Sequence, residues 1–155
     1  MGSPVVVSRT TFRYILLGLL LISAAFAAWS WLRPYAWGAD SAARCQINGC
    51  EVVQDHANYW VNLKLKVDAG AEHDLQIPAR LVTAGGRELE AADTTLVGDE
   101  AKAVREIWLK FWLEKADMKG PLKLRINEGE LSIRKGSGEP KLRSNGRRYY
   151  VTHGW

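Results

Sequence analysis

Residues 14–32 read YILLGLLLISAAFAAWSWL and contain no formally charged side chain. At 1.5 Å rise per residue this run makes a helix of about 28 Å, close to the hydrocarbon thickness of a bilayer. Arg13 and Arg33 bracket it, and Pro34 opposes its continuation. Trp29, Trp31, Tyr35 and Trp37 gather on its C-terminal side. Such rings favour the headgroup boundary, so these four are the expected membrane-interface residues.

Beyond the run the period changes to two. In NYWVNLKLKVD, residues 58–68, Tyr59, Val61, Leu63, Leu65 and Val67 alternate with Trp60, Asn62, Lys64, Lys66 and Asp68, the mark of a strand with one buried face. Leu75, Ile77, Ala79 and Leu81 repeat the alternation, with Pro78 demoting that strand to an edge or a bulge. A turn at Ala84-Gly85-Gly86 leads to a short partner at 89–91. Leu122, Leu124 and Ile126 run into an Asn127-Glu128-Gly129 turn and return through Leu131 and Ile133, a hairpin. Asn145-Gly146 is a second hairpin turn, ahead of Tyr149, Tyr150 and Val151. Residues 105–114, REIWLKFWLE, fit two periods. As a strand they alternate Ile107, Leu109, Phe111, Leu113. As a helix, N-capped at Asp99, they put Val104, Ile107, Trp108, Phe111 and Trp112 on one face. The β-rich surroundings and aromatic content favour the strand, with 99–102 as a helical turn before it.

These elements predict a mainly β protein: a single N-terminal transmembrane α-helix followed by a β-sandwich. The strand at 105–114, the Ala-Asp-Met-Lys-Gly-Pro linker and the hairpin after it resemble the late strands of an immunoglobulin-like domain. The resemblance is architectural, and the antibody Cys–Trp–Cys pattern is absent. The expected divisions are a cytoplasmic segment at 1–13, the membrane helix at 14–32, a juxtamembrane linker at 33–50, and an exoplasmic sandwich at 51–155. A cleaved signal peptide competes with the anchor, because Ala25-Phe26-Ala27 resembles a cleavage site. The apolar run continues past that site to Leu32, which favours the anchor. Arg9 and Arg13, with no acid near them, lean the N-terminus towards the cytoplasm. The sandwich then lies in the periplasm of a bacterial cell with an inner membrane.

Composition narrows the function classes. Apolar residues at 47 % and charged residues at 25 % are a globular balance, so a disordered chain is excluded. The formal charge is +4, and it approaches neutrality beyond the helix, which disfavours nucleic acid as a partner. The helix holds no His, Asp, Glu, Lys or Arg, so neither pigment or haem ligation nor proton relay is expected from it. Ala24 with Ala28, and Ser23 with Ala27, permit close approach of a neighbouring helix. Cys45 and Cys50 flank an Asn48-Gly49 turn signal, so a short-loop disulfide is expected in an oxidising compartment. The C-x4-C spacing fits neither covalent haem attachment nor a C-x-x-C redox pair.

His56, His73 and His153 lack metal-ligand spacing, and no nucleophile elbow or phosphate-cradling glycine loop is present. Glu88 and Glu90 share a strand face, where a solvated role is the default. Arg134, Lys135, Lys141, Arg143, Arg147 and Arg148 face only Glu139, a basic patch suited to anionic headgroups or an acidic partner surface. Trp60, Trp108 and Trp112 all fall on the strand face opposite the aliphatic set. A half-exposed sheet does not need three indoles there, so either another part of the chain covers that face, as the usual burial of Trp favours, or it receives a partner, since aromatics concentrate in binding hot spots. The expectation is a non-catalytic accessory subunit of a respiratory or photosynthetic membrane complex, with no cofactor and no small-molecule substrate. The alternative is a membrane-tethered ligand-binding or sensing domain.

Overall fold

The computed structural model describes residues 9–32, 37, 39–74, 76–98, 104–153 and 155. It divides into two compact units, Met1–Tyr35 and Ala36–Trp155, each described by itself. The first holds α1, Arg9–Leu32. Leu and Ala dominate it, and no Pro interrupts it, so local propensity and length agree. It is long and apolar enough to cross a membrane, and its apolar window buries nothing. It begins ahead of the expected boundary at residue 14, because nothing between Thr10 and Arg13 breaks a helix. Trp29 and Trp31 lie in its last turn and are exposed. Tyr35, Arg33 and Pro34 lie outside the described residues.

Among the described residues the second unit has nine strands: β1 (Cys45–Asp55), β2 (Asn58–Val67), β3 (Arg80–Thr83), β4 (Glu88–Glu90), β5 (Asp93–Gly98), β6 (Val104–Leu113), β7 (Leu122–Ile126), β8 (Gly129–Arg134) and β9 (Arg147–Tyr150). They form two antiparallel sheets, ordered β5-β6-β2-β1-β9 and β4-β3-β7-β8. Residue 107 pairs with 65, 109 with 63, 111 with 61 and 113 with 59, so Ile107, Leu109, Phe111 and Leu113 line up with Leu65, Leu63, Val61 and Tyr59 on the buried side. Leu81, Leu122, Leu124, Leu131 and Ile133 supply the facing layer. Pairing with β2 decides the ambiguous segment as a strand, since only period two lets its aliphatic set meet that of β2. Asp99 and residues 99–102 lie outside the described residues. The β7–β8 hairpin forms around Asn127, whose φ is 52°, as the turn requires.

Three expectations change. Residues 45–50, read as part of a linker with a disulfide loop, are the first half of β1. Asn48 is the extra residue of a β-bulge between Ile47 and Gly49, not the corner of a turn. The bulge shifts the alternation by one, so Cys45 and Ile47 before it and Cys50 and Val52 after it all point into the core. Both thiols are free. About four strand steps at ~3.3 Å separate them, roughly 13 Å, and a disulfide tolerates a Cα separation of only about 7 Å. The expected Cys45–Cys50 bridge is therefore replaced by two buried thiols.

Trp37, expected at the membrane boundary, is fully buried and pairs with Ile47 at the edge of the β unit's core. The second predicted strand is shorter than its alternation. β3 begins only at Arg80, Ile77 is exposed ahead of it, and Leu75 lies outside the described residues. Pro78, lacking an N–H, fits this late start of the ladder.

Candidate partner-binding face

Each sheet turns one face to the core, and the two outward faces differ. On the four-stranded sheet, Arg80 bonds to Glu88 at 3.0 Å and to Glu90 at 3.4 Å. Arg125 reaches Glu88, and Lys123 meets Glu130 at 2.7 Å. The Glu88–Glu90 pair thus belongs to a surface lattice in which each carboxylate has a cationic partner. Such a face is well solvated and presents little apolar area.

The five-stranded sheet carries the indoles outward. Register places Trp60 opposite Trp112, and Trp108 opposite Lys64 on one side and Thr95 on the other. Trp108 is 39 % and Trp112 37 % exposed, and Trp60 is half-buried. No element of the described unit covers them. Two of the three are positioned: Trp60 Nε1 donates to Asp55 at 3.1 Å and Trp108 Nε1 to Glu106 at 2.8 Å. Lys110 Nζ sits 4.4 Å from the Trp60 ring centroid and Lys64 Nζ 4.6 Å from that of Trp108, both within cation–π range. Beside Trp108 runs a groove of about 320 Å³ whose lining includes Glu51, Asn62, Asp93, Thr95, Trp108 and Lys110. Asn62 Nδ2 donates to Glu51 at 3.2 Å, while its Oδ1 is buried without a partner.

The strand bordering this face extends it. All six residues of β5 are exposed, including Leu96 and Val97, and β5 is an edge. β4 is only three residues long and carries Glu88 and Glu90, and β9 carries Arg147 and Arg148. Short or charged edges resist pairing with another chain. Residues 93–98, DTTLVG, hold one acid at the very start, with neither Lys nor Pro after it. The sequence reading missed this strand because its apolar residues are too few to show a period.

The basic patch divides. Arg134 is buried, not displayed: its guanidinium donates to the main-chain oxygens of Trp155 at 2.7 Å, Met118 and Gly138, and desolvation lowers its pKa. The sequence placed it outward because it ends β8 as a long cation. Three backbone acceptors make its burial tolerable. Arg148 lies across Tyr150, 5.1 Å to the ring centroid, and donates to Lys141 O. Arg147 turns to the indole-bearing face, 4.0 Å from Glu51, while Lys135 and Arg143 stay exposed elsewhere.

The remaining candidates are dispersed. His56 caps the β1–β2 turn beside Asp55 at 2.8 Å; His73 Nδ1 accepts from Asn127 at 2.9 Å; His153 lies near the C-terminal end. Among the described residues no three His, Cys, Asp or Glu converge as metal ligands. Burial, helped by Asp68, pushes the Cys45 thiol up to about 12, and burial raises Cys50 as well, so neither is poised as a thiolate. A cavity of about 950 Å³ is lined by Lys66, Val67, Asp68, Glu72, His73 and Val104 among others, a wall shared by charged and apolar groups. Comparison with protein-family models, with curated proteins and with solved structures finds no match.

Proposed function

We propose that the chain is a non-catalytic, single-pass accessory subunit of a multisubunit bacterial inner-membrane complex, respiratory or photosynthetic. In this reading α1 is an uncleaved anchor with a cytoplasmic N-terminus, and the β domain braces or helps assemble neighbouring subunits in the periplasm. The domain is read as immunoglobulin-like. The chain order β1-β2-β6-β5 and β3-β7-β8 equals the A-B-E-D and C-F-G order of that sandwich, with β4 and β9 as additions, which supports the assignment.

The observation that carries the proposal is the contrast between the outward faces. One is neutralised by ion pairs within itself. The other holds three indoles, two of them, Trp60 and Trp108, fixed by hydrogen bonds and overlying lysines, beside an unprotected edge. Pre-positioned aromatics lose little side-chain entropy on docking, as interface anchors require. The face is broad and its groove is open, with Leu63, Trp108 and Leu109 beside charged and amide side chains, which suits a protein surface better than an enclosed small molecule.

Native electrophoresis after mild-detergent extraction tests this. The full chain is expected to migrate with a defined set of membrane subunits, and the Trp60→Thr/Trp108→Thr/Trp112→Thr variant as a free species of unchanged fold. Migration of the unaltered chain alone in several detergents contradicts the proposal. The second reading, a tethered ligand-binding domain, draws on the unpartnered Asn62 Oδ1 in the groove. It predicts instead that Asn62→Ala abolishes binding of a soluble ligand while the chain remains unassociated.

A further inference from the structure

Among the described residues the two sheets end in four edge strands, and three of them are closed. β8 is capped where Glu130 N donates to Asp40 at 2.8 Å and Trp155 Nε1 donates to Ile133 O at 3.1 Å. β9 accepts a loop bond, Arg143 N to Arg147 O, and carries two arginines. β4 is three residues long, with both of its carboxylates in ion pairs. β5 has none of these devices. Its ladder with β6 is bulged, but the extra residue, Arg105, is on β6, so β5 itself stays regular. None of the turn, loop or side-chain hydrogen bonds of the described residues involves 93–98. Leu96 and Val97, on opposite faces of the strand, are 42 % and 36 % exposed.

We infer that the edge of β5 pairs with β5 of a second copy of this chain, antiparallel, about a two-fold axis normal to the sheet. Such an axis sets one residue against its own counterpart. Centred on Leu96, it pairs Leu96 with Leu96 of the second copy, Thr95 with that copy's Val97, and Thr94 with its Gly98. A strand paired with itself brings its own charges together, and like charges across strands are destabilising. The five paired residues, Thr94 to Gly98, carry no charge. The glutamates of β4 and the arginines of β9 would fail that requirement. A different partner draws its specificity largely from charge, and this edge offers none within the pairing. The new ladder satisfies the open backbone groups and takes Leu96 and Val97 out of water. It leaves the outward indoles of both copies uncovered, on one side of a continuous sheet, so the inference does not rest on the function proposed above.

The test is disulfide trapping of the full chain in phosphatidylcholine liposomes. Leu96→Cys sets a thiol opposite its own counterpart, at the Cβ separation a disulfide needs. Mild oxidation should convert most of this variant to a covalent dimer. In Thr94→Cys the two thiols stand four strand steps apart, roughly 13 Å, and Lys123→Cys lies on the other sheet. Each should give no more than about a tenth of the yield, and the unaltered chain, whose thiols are buried, none. In mild detergent the unaltered chain should sediment as a concentration-dependent dimer. Leu96→Lys/Val97→Lys should weaken that dimer at least tenfold with the unfolding temperature unchanged. Equal trapping at all three positions, or no trapping at 96, overturns the inference. So does a dimer that survives in the lysine variant, which would place the contact in another part of the chain. Trapping of Leu96→Cys in cells on a different protein, with no self-dimer, overturns it as well.

Discussion

Asp40 ties two parts of the β unit together. Its carboxylate accepts from Ala42 N at 3.0 Å and from Glu130 N at 2.8 Å, and these bonds hold its pKa below the ordinary 3.8. Glu130 is lowered likewise, by Lys123 first and then Arg125. A carboxyl whose folded value lies below its unfolded one stabilises fully above the unfolded value and loses that contribution as pH falls through the folded one. The unfolding temperature should therefore stay level from neutral pH to about 5 and drop below about 4, and Asp40→Asn should flatten part of that drop. Thermal melts across this range check it. The two cysteines give a second residue-scale expectation. Both should resist alkylation in the native protein and react fully in denaturant, with no mass loss of two hydrogens to a disulfide. Here sequence reasoning failed for a definite cause: Asn48-Gly49 serves a bulge as readily as a turn, and only the pairing of β1 with β2 distinguishes them.

Among the elements, those with a long period were legible. β2, β6 and the β7–β8 hairpin alternate over enough positions to declare a buried face. β1 was hidden because its bulge breaks the alternation midway, and β5 because it packs almost nothing. Trp37 looked like a membrane-boundary ring because it follows the apolar run closely, and nothing local distinguishes it from Trp31. The short turn Ser41–Ala43 is another feature set by a distant contact. A Cβ on Gly129 would lie 2.1 Å from Ala43 N and 2.6 Å from Ala43 Cα, so β8 abuts backbone there. Backbone cannot yield as a side chain can. Gly129→Ala should cost about 1–3 kcal/mol, the usual range for overpacking. Chemical denaturation of the two proteins measures it.

For the whole molecule, the surplus of indoles was legible in the sequence but their setting was not. Trp60, Trp108 and Trp112 could be assigned to one strand face from the period alone. That their face lies open, while the opposite sheet closes its own outer surface with ion pairs, needed both sheets in place. Nothing local signalled the burial of Arg134 either, because Arg134 and Trp155 meet only through the C-terminal segment. If α1 is an anchor, the protein should remain with membranes through alkaline carbonate washing, and its isolated form should keep residues before Ala28. A mature chain starting near Ala28 and washing free would mark a signal peptide instead. The claim on which the rest turns is that the indole-bearing face meets other membrane subunits. Site-specific photo-crosslinking reads it most directly, with one photoreactive residue at position 108 and, separately, one at Lys123 on the opposite sheet. Crosslinks from 108 to integral membrane proteins, with none from 123, are expected; no crosslinks at 108, or equal ones from both, would contradict it.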